Sequence, residues 1–272
     1  MSIVEKAIQR SQAERAKAPA PSPVVAEAPR GELPLPTAAQ AVPLAVRASL
    51  ALEAFPALAR DFRFLKRPVL ARVFGQSRSG ARQGNVVMIT SDLPQAGKSF
   101  ISLNLAASMA TERMMRVLLV DADPVRRSLS TRFGVADRPG MLELLAGDAT
   151  RPAEVMLATD VESLYFLPAG LPRPDATELL ASPRMAQVLK ALEDPNLIVL
   201  LDSPPLLLSS EGRVLADHAH HALVVVEAGR STASEVSNVL AVLKGSAAAV
   251  SLVLNKSPAP PAARHEEYYY SY

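Results

Sequence analysis

The amino-acid sequence predicts an α/β fold in which helices cover both faces of a doubly wound, mostly parallel sheet. Two observations support this prediction. Short runs rich in Val, Ile and Leu hardly alternate in polarity, which is typical of parallel strands buried on both faces. These runs alternate along the chain with helical stretches. The 272 residues, 49% of them hydrophobic, are enough for one such domain with a large core.

Six segments have the composition of buried strands, and helical stretches separate them. In the first helical stretch, Ile101, Leu105 and Met109 recur at four-residue spacing on one face. The predicted strands are Val86–Thr90, Val117–Asp121, Leu164–Pro168, Leu197–Asp202, Ala222–Glu227 and Val250–Leu254. The predicted helices are Lys98–Glu112, Gly140–Leu145, Asp175–Leu192 with a break at Pro183, Glu211–Ala216 and Ala233–Lys244.

The segments before this core have a different composition. Residues 18–46 are rich in Ala and Pro, and prolines at that density block both helix and sheet. We therefore expect residues 1–46 to be a disordered or extended tail, in which residues 1–17 form either a short amphipathic helix or a frayed terminus. Leu52–Phe74 predicts a helix that ends before Pro68, because the residue before a proline disfavours the helical conformation. The predicted domain covers residues 47–256, and residues 257–272 form a flexible tail.

Composition excludes several classes of function. The chain has no cysteine, which excludes disulfides, thiolate catalysis and cysteine metal sites. A net charge of +2 does not argue for a nucleic-acid partner, and we expect none. No apolar run approaches the roughly 18 to 20 residues of a membrane span, and the first residues lack the pattern of a signal peptide. These features predict a cytoplasmic protein.

Residues 91–99 read Ser-Asp-Leu-Pro-Gln-Ala-Gly-Lys-Ser and have the pattern of a phosphate-binding loop. Gly97, Lys98 and Ser99 fit the standard spacing, whereas Asp92 stands where the first glycine is expected. The loop lies between a predicted strand and a predicted helix, so that backbone N–H groups at the helix start can surround a phosphate. Lys98 would reach the β- and γ-phosphates, and the Ser99 hydroxyl would bind Mg²⁺. The remaining nucleotide-binding residues of the prediction are Pro94, Gln95, Ala96, Gly97 and Phe100. The alternative is a glycine-poor turn that precedes a helix by chance.

Three carboxylates follow two of the predicted strands. Asp121 and Asp123 end one strand, and Asp202 ends another. Ligands of open α/β sheets bind beyond the carboxyl ends of the strands, so these side chains should face the loop. Mg²⁺ prefers oxygen ligands, and a triphosphate site needs such groups, often acting through water. The combination predicts a Mg-ATP site in a three-layer sandwich of the P-loop NTPase type.

The end of the chain is rich in tyrosine. Four of the five tyrosines of the chain lie in its last five residues: Tyr268, Tyr269, Tyr270 and Tyr272. Aromatic side chains normally contribute to the core, so this position needs an explanation. Either the segment is an aromatic patch that docks on the domain or on a partner, or it is itself a substrate.

Together these motifs resemble the bacterial tyrosine kinases of exopolysaccharide loci, which are autokinases on a deviant P-loop ATPase fold. The resemblance covers roughly Leu52 to Tyr272 and is closest to the cytoplasmic subgroup associated with exosortase loci. It rests on the tyrosine tail and on six segments: Thr90–Phe100, Leu118–Asp123, Leu167–Gly170, Ala176–Ser182, Asp202–Leu207 and Val253–Lys256.

The resemblance implies a role for each site residue. Lys98 and Ser99 would bind phosphate and Mg²⁺, and Asp202 would hold Mg²⁺ through water. Asp121 would act on the incoming tyrosine hydroxyl as a base or positioner, and with Asp123 it would support the metal site. Asn255 would contact the nucleotide base. The implied catalytic set is Lys98, Asp121, Asp123 and Asp202, the metal set is Ser99, Asp121 and Asp202, and the phosphoacceptors are Tyr268, Tyr269, Tyr270 and Tyr272.

The resemblance also implies the function and the partners. The chain would be an ATP-dependent protein-tyrosine autokinase that phosphorylates its own terminal tyrosines and regulates exopolysaccharide biosynthesis or export. Its cofactors would be ATP and Mg²⁺, with no other metal. Its partners would be a membrane chain-length-determinant or activator protein, which recruits it to the inner face of the membrane, and further copies of itself for trans-phosphorylation.

The chain departs from the family pattern at several positions. Arg60 and Lys66 replace the first and last residues of a Glu-x-x-Arg-x-x-Arg oligomerisation motif. Gln95 stands where the family often has Gly, and we expect it to present its backbone N–H with a negative φ. Arg126 and Arg127 lie near a basic run of the family, either to clamp phosphate or bind an activator, or as solvated surface.

Two other functions stay open. A partitioning or positioning ATPase of the same superfamily usually carries a signature lysine where this chain has Leu93, and it has no tyrosine cluster. A nucleotide-binding adaptor of a polysaccharide polymerase, without catalysis, would not need the intact Lys98, Asp121 and Asp202. The segment Asp217–His221 could hold a metal, but we favour the interpretation without one.

Overall fold

The computed structural model describes residues 43–74, 84–246 and 249–258. Within these ranges seven strands form a single sheet with the order β3-β4-β2-β5-β1-β6-β7, and only β3 is antiparallel to its neighbour. This confirms the predicted doubly wound, mostly parallel sheet. The strands are β1 Val86–Ser91, β2 Arg116–Asp121, β3 Leu157–Ala158, β4 Leu164–Leu167, β5 Leu197–Asp202, β6 His221–Glu227 and β7 Ala249–Asn255.

Helices separate the strands, except β3 and β4, as the alternation in the sequence predicts. Two short 3₁₀ turns, Arg47–Ser49 and Pro152–Glu154, complete the secondary structure of the described residues. The helices are α1 Ala51–Ala54, α2 Pro56–Phe74, α3 Lys98–Ala110, α4 Ser128–Arg132, α5 Met141–Ala146, α6 Ala176–Leu180, α7 Pro183–Ala191, α8 Ser210–His218 and α9 Ala233–Leu243.

The core consists of two apolar layers, one on each face of the sheet. Alternate residues of β1 enter different layers: Val86 and Met88 pack in one, and Val87 and Ile89 in the other. The first layer also contains side chains of α5 to α9, and the second contains those of α2 and α3. Both faces of the central strands are therefore covered, which explains why their sequences do not alternate in polarity.

The strand order brings the predicted site residues to one edge of the sheet. β1 lies between β5 and β6, and β2 lies on the other side of β5. In the parallel register Asp121 pairs with Asp202, and Asp202 also pairs with Ile89 of β1. The carboxyl ends of all three strands therefore meet where the loop after β1 begins, as expected for a ligand site in an open α/β sheet.

Helix α2 contradicts the prediction that the helix ends before Pro68. The helix begins at Pro56 and continues through Pro68 to Phe74. A proline inside a helix costs about 3 kcal/mol, because it removes one hydrogen bond and crowds the preceding turn. Phe62 is buried before Pro68, and Val69 and Val73 are buried after it. Burial of apolar side chains on both sides offsets this cost, so the helix does not end.

Two short elements, β3 and α4, have no counterpart among the predicted segments. β3 has two residues and α4 has five, which is too short for either periodicity to be visible. Most of the two predicted tails lies outside the described residues, including the short helix over residues 1–17 and the tyrosines at 268–272. Among the residues that the structure describes, no helix is both long and apolar enough to cross a membrane.

Lys66 lies inside the protein, although it belongs to the segment that resembles an oligomerisation motif. Its side chain is 8% exposed, and Nζ contacts Glu112 Oε1 at 2.6 Å. Nζ also donates to the Ser108 carbonyl at 2.8 Å and to Thr111 Oγ1 at 3.1 Å, at the C-terminal end of α3. Lys66 therefore connects α2 to α3 within one protomer, and a cation is favourable at a helix C-terminus.

We expect Lys66→Met to lower the free energy of unfolding by about 1.5 to 3 kcal/mol, since it removes hydrogen bonds from a charged donor. The matched control is Arg63→Met, because Arg63 is an exposed cation on the same helix. That change should stay within about 0.5 kcal/mol. Urea unfolding of the three proteins measures both values, and equal effects of the two substitutions would contradict the internal role of Lys66.

Candidate functional site

The loop between β1 and α3 has the conformation that its sequence predicts for phosphate binding. Gly97 immediately precedes α3 in a left-handed conformation, with φ of 99°. A Cβ atom at this position would overlap Nδ2 of Asn255 and would force that side chain to move, and the positive φ also favours glycine. Lys98 and Ser99 are the first two residues of α3, where backbone N–H groups have no intrahelical acceptor.

Lys98 lies among carboxylates. Its side chain is buried, and this burial lowers the pKa of the amine, whereas the charges of Asp202 and Asp123 raise it. Asp202 accepts a hydrogen bond from Ser102 Oγ at 2.9 Å and another from the Ser99 hydroxyl. The first residues of α3 and the end of β5 therefore form one polar cluster.

Asp202 and Asp121 are buried side by side. Burial, followed by repulsion from Asp121, raises the pKa of Asp202 to about 7. Burial also raises the pKa of Asp121 to about 6, although hydrogen bonds from Ser130 act in the opposite direction. The Ser130 N–H and Oγ both donate to Asp121 Oδ2, each at 2.8 Å. Oδ1 accepts only a long bond of 3.4 Å from the Asp123 N–H, so it keeps most of its capacity to accept.

Asp92, at the first position of the loop, adds a further buried carboxylate. The residue is 1% exposed, and neither carboxylate oxygen has a hydrogen-bond partner among the described residues. An unpaired buried carboxylate is strongly unfavourable. Asp92, Asp121 and Asp202 therefore supply more negative charge than Lys98 compensates, and the donor set fits a magnesium ion with a bound triphosphate.

The carboxylates do not by themselves enclose a cation. Within residues 43–74, 84–246 and 249–258, no group of three or more His, Asp or Glu side chains has the geometry to hold a metal. This applies also to Asp217–His221. In that segment burial lowers the pKa of His221 to about 4, and His221 Nε2 lies 3.0 Å from Ser251 Oγ, on the neighbouring strand.

Comparison with known proteins bears on the identity of this site. No protein-family model matches the chain. A tyrosine-protein kinase of Ralstonia nicotianae, EpsB, is 40% identical over 152 residues, which cover 56% of this chain and 20% of EpsB. The kinase domain of the Escherichia coli tyrosine kinase ETK superposes with a TM-score of 0.67 at 26% identity, over 82% of this chain and 83% of that domain. The chain is homologous to bacterial tyrosine kinases.

This tyrosine kinase homologue spans about a fifth of the length of the EpsB relatives that it matches. Its fold is the three-layer P-loop NTPase sandwich that the sequence predicts. Structural similarity is found also to ATPases that are not kinases. The septum site-determining protein MinD of Pyrococcus horikoshii, complexed with Mg-ADP, superposes with a TM-score of 0.50 at 25% identity, over 62% of this chain and 69% of MinD. The ETK kinase domain is the better match in both TM-score and coverage.

One expectation about the phosphate loop is wrong. Gln95 has a φ of +63° instead of a negative value. This left-handed conformation is unfavourable for a residue with a Cβ atom, and glycine adopts it freely. The family often has Gly at this position, which agrees with the observed backbone.

Phe100 and Asn255 contribute to the site in different ways. The Phe100 ring packs on Phe62 of α2, with centroids 6.2 Å apart, so only its backbone is available to the loop. Asn255, at the end of β7, donates from Nδ2 to the Ala96 carbonyl at 2.8 Å. The structure therefore places Asn255 against the loop backbone, whereas the contact with the nucleotide base that the resemblance implies stays a prediction.

Sequence reasoning missed several polar residues around the site. Ser102 and Ser130 hold Asp202 and Asp121, and neither has a motif that marks it. The missed residues on the β6–β7 side of the loop are Glu227, Arg230 and Lys256; Arg230 and Lys256 donate to loop carbonyls. Of the two arginines near the basic run, Arg127 donates to the Ala136 carbonyl at 2.9 Å, whereas Arg126 is exposed.

We expect Gly97→Ala to lower the free energy of unfolding more than replacement of a glycine that has positive φ but no atom close to the added Cβ. Gly134 is the matched control, because its φ is +67° and no atom lies within 4 Å of the added Cβ. Gly134→Ala should cost about 1 to 2 kcal/mol for the left-handed conformation. Gly97→Ala should cost more, because Asn255 must also move. Urea unfolding separates the two, and equal losses would contradict the contact with Asn255.

The buried pair Asp121 and Asp202 should make the stability of the ligand-free protein depend on pH. Their pKa values are raised in the folded state, so their contribution is present below about pH 4 and is lost as the pH rises through 6 to 7. We therefore expect Asp202→Asn to raise the free energy of unfolding at pH 8 by roughly 1 to 3 kcal/mol and to change it little near pH 4.

Urea unfolding without magnesium or nucleotide at the two pH values tests this expectation. The control is Glu154→Gln, in an exposed ion pair with Arg151. If Asp202→Asn instead lowers the free energy of unfolding at pH 8, the negative charge of Asp202 is compensated by its neighbours in the ligand-free protein, which would contradict this expectation.

Proposed function

We propose that the chain is an ATP-dependent protein-tyrosine autokinase, which phosphorylates its own terminal tyrosines and regulates exopolysaccharide biosynthesis or export. The observation that carries the proposal is the cluster of Lys98, Asp121 and Asp202 beside the loop. A buried lysine at the start of a helix, next to carboxylates with raised pKa values, is suited to a bound triphosphate and its cation. Homology to tyrosine kinases directs this chemistry towards a tyrosine acceptor.

The loop would hold the phosphates. Phosphoryl transfer needs little covalent help from a protein, but it needs the phosphates positioned and their charge neutralised. The N–H groups of residues 95–100 and the Lys98 amine would supply these contacts. Ser99 and Asp202, already hydrogen-bonded to each other, would hold Mg²⁺, which neutralises phosphate charge when it is bound.

Asp121 is better placed to orient the site than to contact the acceptor. The residue is fully buried, and two donors of Ser130 bind one of its carboxylate oxygens. Both roles on the tyrosine hydroxyl need contact with the acceptor, so this environment favours the other role that the resemblance implies for Asp121, support of the metal site. Asp123 is slightly more exposed, and its Oδ1 accepts from the Arg126 N–H at 2.9 Å.

The terminal tyrosines would be the phosphoacceptors. The described chain continues from β7 through Lys256, whose Nζ contacts the loop, to Pro258. About ten residues separate Pro258 from Tyr268, and a segment of that length spans at most about 35 Å. The segment starts beside the loop of the same molecule and is long enough to extend to a neighbouring copy, so the proposal includes phosphorylation in cis and in trans.

The membrane-associated role is part of the same proposal. A partner of the chain-length-determinant or activator class would recruit the chain to the inner face of the membrane, as the resemblance to the kinases of exopolysaccharide loci implies. Homo-oligomers would serve trans-phosphorylation. Lys66, at the last position of the partial oligomerisation motif, contacts Glu112 of its own protomer, so an assembly would use other residues of α2.

The alternative that an observation favours is a positioning ATPase. The similarity to MinD with Mg-ADP supports it. Leu93 in place of the signature lysine, together with the tyrosine cluster, favours the kinase.

The 272-residue chain should incorporate phosphate on Tyr268, Tyr269, Tyr270 or Tyr272 when it is incubated with Mg-ATP. Lys98→Met should lower the rate at least about 100-fold, as expected for loss of a group that stabilises transferred charge. Lys244→Met is the control, because Lys244 is exposed at the end of α9. Mass spectrometry maps the phosphotyrosine.

The absence of phosphotyrosine, even with a candidate membrane activator, would overturn the kinase proposal. Hydrolysis of ATP without phosphotyrosine would favour the positioning ATPase. Nucleotide binding without turnover would favour an adaptor.

A further inference from the structure

Three consecutive carbonyl groups of the phosphate loop accept hydrogen bonds from side chains on one side of the loop. Arg230 Nη1 donates to the Pro94 carbonyl at 3.1 Å. Lys256 Nζ donates to the Gln95 carbonyl at 2.8 Å. The Ala96 carbonyl accepts from Asn255 Nδ2. Arg230 lies just after β6, and Asn255 and Lys256 lie at the end of β7. Residues at the carboxyl ends of these two strands therefore support the backbone of the loop.

Glu227 joins the two cationic donors. Its Oε1 lies 2.9 Å from Lys256 Nζ, and its Oε2 lies 3.1 Å from Arg230 Nη1. The Glu227 side chain is 12% exposed, whereas those of Lys256 and Arg230 are about half exposed. Glu227 itself is held at the end of β6, where Ser231 Oγ accepts from its N–H at 2.9 Å. The carboxylate therefore fixes two flexible side chains above the loop.

The direction of these carbonyls determines the direction of the neighbouring N–H groups. In a planar trans peptide the C=O of one residue and the N–H of the next point in opposite directions. Carbonyls of residues 94–96 that point towards β6 and β7 therefore direct the N–H groups of residues 95–97 the other way. A phosphate at the start of α3 needs donors on that side.

The same contacts support a strained residue. Gln95 has a positive φ, and its carbonyl is the one that Lys256 holds. Without this bond, a residue with a Cβ atom would favour negative φ and turn its peptide groups away. Glycine would not have this preference.

We infer that Glu227, Arg230 and Lys256 are positioning residues, which hold the loop in its phosphate-binding conformation through its carbonyl groups. None of the three is among the residues that the loop motif or the acidic motifs identify. The inference rests on the proposed function to the extent that the loop takes a nucleoside triphosphate.

The direction in which Glu227→Gln changes the affinity for Mg-ATP distinguishes a positioning role from a purely electrostatic one. Glu227→Gln removes a negative charge near the loop, so Coulomb attraction alone would tighten the binding of Mg-ATP. If Glu227 acts by positioning, binding weakens instead. We expect the dissociation constant for Mg-ATP to rise about fivefold, which is about 1 kcal/mol, and Lys256→Met to have an effect of similar size.

The strained residue supplies a second test. In a Gln95→Gly variant the residue at position 95 adopts positive φ without the hydrogen bond from Lys256. Adding Glu227→Gln to this variant should therefore change the dissociation constant less than twofold. This rescue distinguishes positioning from a general loss of structure. The control is Glu154→Gln, which removes a similar exposed ion pair elsewhere, and it should leave the constant unchanged.

Calorimetric titration of the full-length chain with Mg-ATP, together with thermal unfolding of each variant, decides the outcome. Weaker binding on Glu227→Gln, with an unchanged unfolding temperature and rescue by Gln95→Gly, supports the inference. Equal or tighter binding, or an equal loss in the Gln95→Gly background, overturns it and leaves the proposed function intact. If Glu227→Gln does not fold, Lys256→Met and Gln95→Gly decide in the same way. No binding by the unsubstituted protein would overturn both.

Discussion

The burial of like charge around one lysine is the constraint on which the site depends. Asp92, Asp121 and Asp202 lie almost completely inside the protein, and Lys98 is the buried cation beside them. Hydrogen bonds from Ser99, Ser102 and Ser130 compensate only part of this charge, so the pKa values of Asp121 and Asp202 are raised. Such an arrangement is unfavourable by itself and becomes favourable when a cation and a polyphosphate share the site.

The proposed function places a different demand on the loop, because its backbone would have to point its N–H groups at a phosphate. Gly97 meets this demand without strain, whereas Gln95 meets it in a left-handed conformation. The carbonyl contacts from Asn255, Lys256 and Arg230 hold the backbone in that state. The strain at Gln95 is therefore compensated by residues at the carboxyl ends of β6 and β7.

The two faces of the sheet contribute unequally to the site. Helix α3 carries Lys98, Ser99 and Ser102, so its position determines the geometry of the proposed phosphate site. Helix α2 packs on α3 along its length, and Lys66 binds the C-terminal end of α3. Because α2 continues through Pro68, Val69 and Val73 also pack in the apolar layer that contains α3. The basic segment that resembles an assembly motif thus also stabilises the helix on which the site depends.

Local patterns in the sequence determined most of the fold and the centre of the site. Apolar runs predicted six of the seven strands, and the spacing of Gly97, Lys98 and Ser99 predicted a phosphate loop at the start of a helix. These features depend on neighbours along the chain, so the sequence alone contains them. The tertiary structure decided what depends on distant neighbours: the helix through Pro68, the positive φ of Gln95, the serines that bind the buried carboxylates, and the support of the loop by Glu227. Burial and contacts between residues far apart in the chain outweigh local preference there, and no local pattern records them.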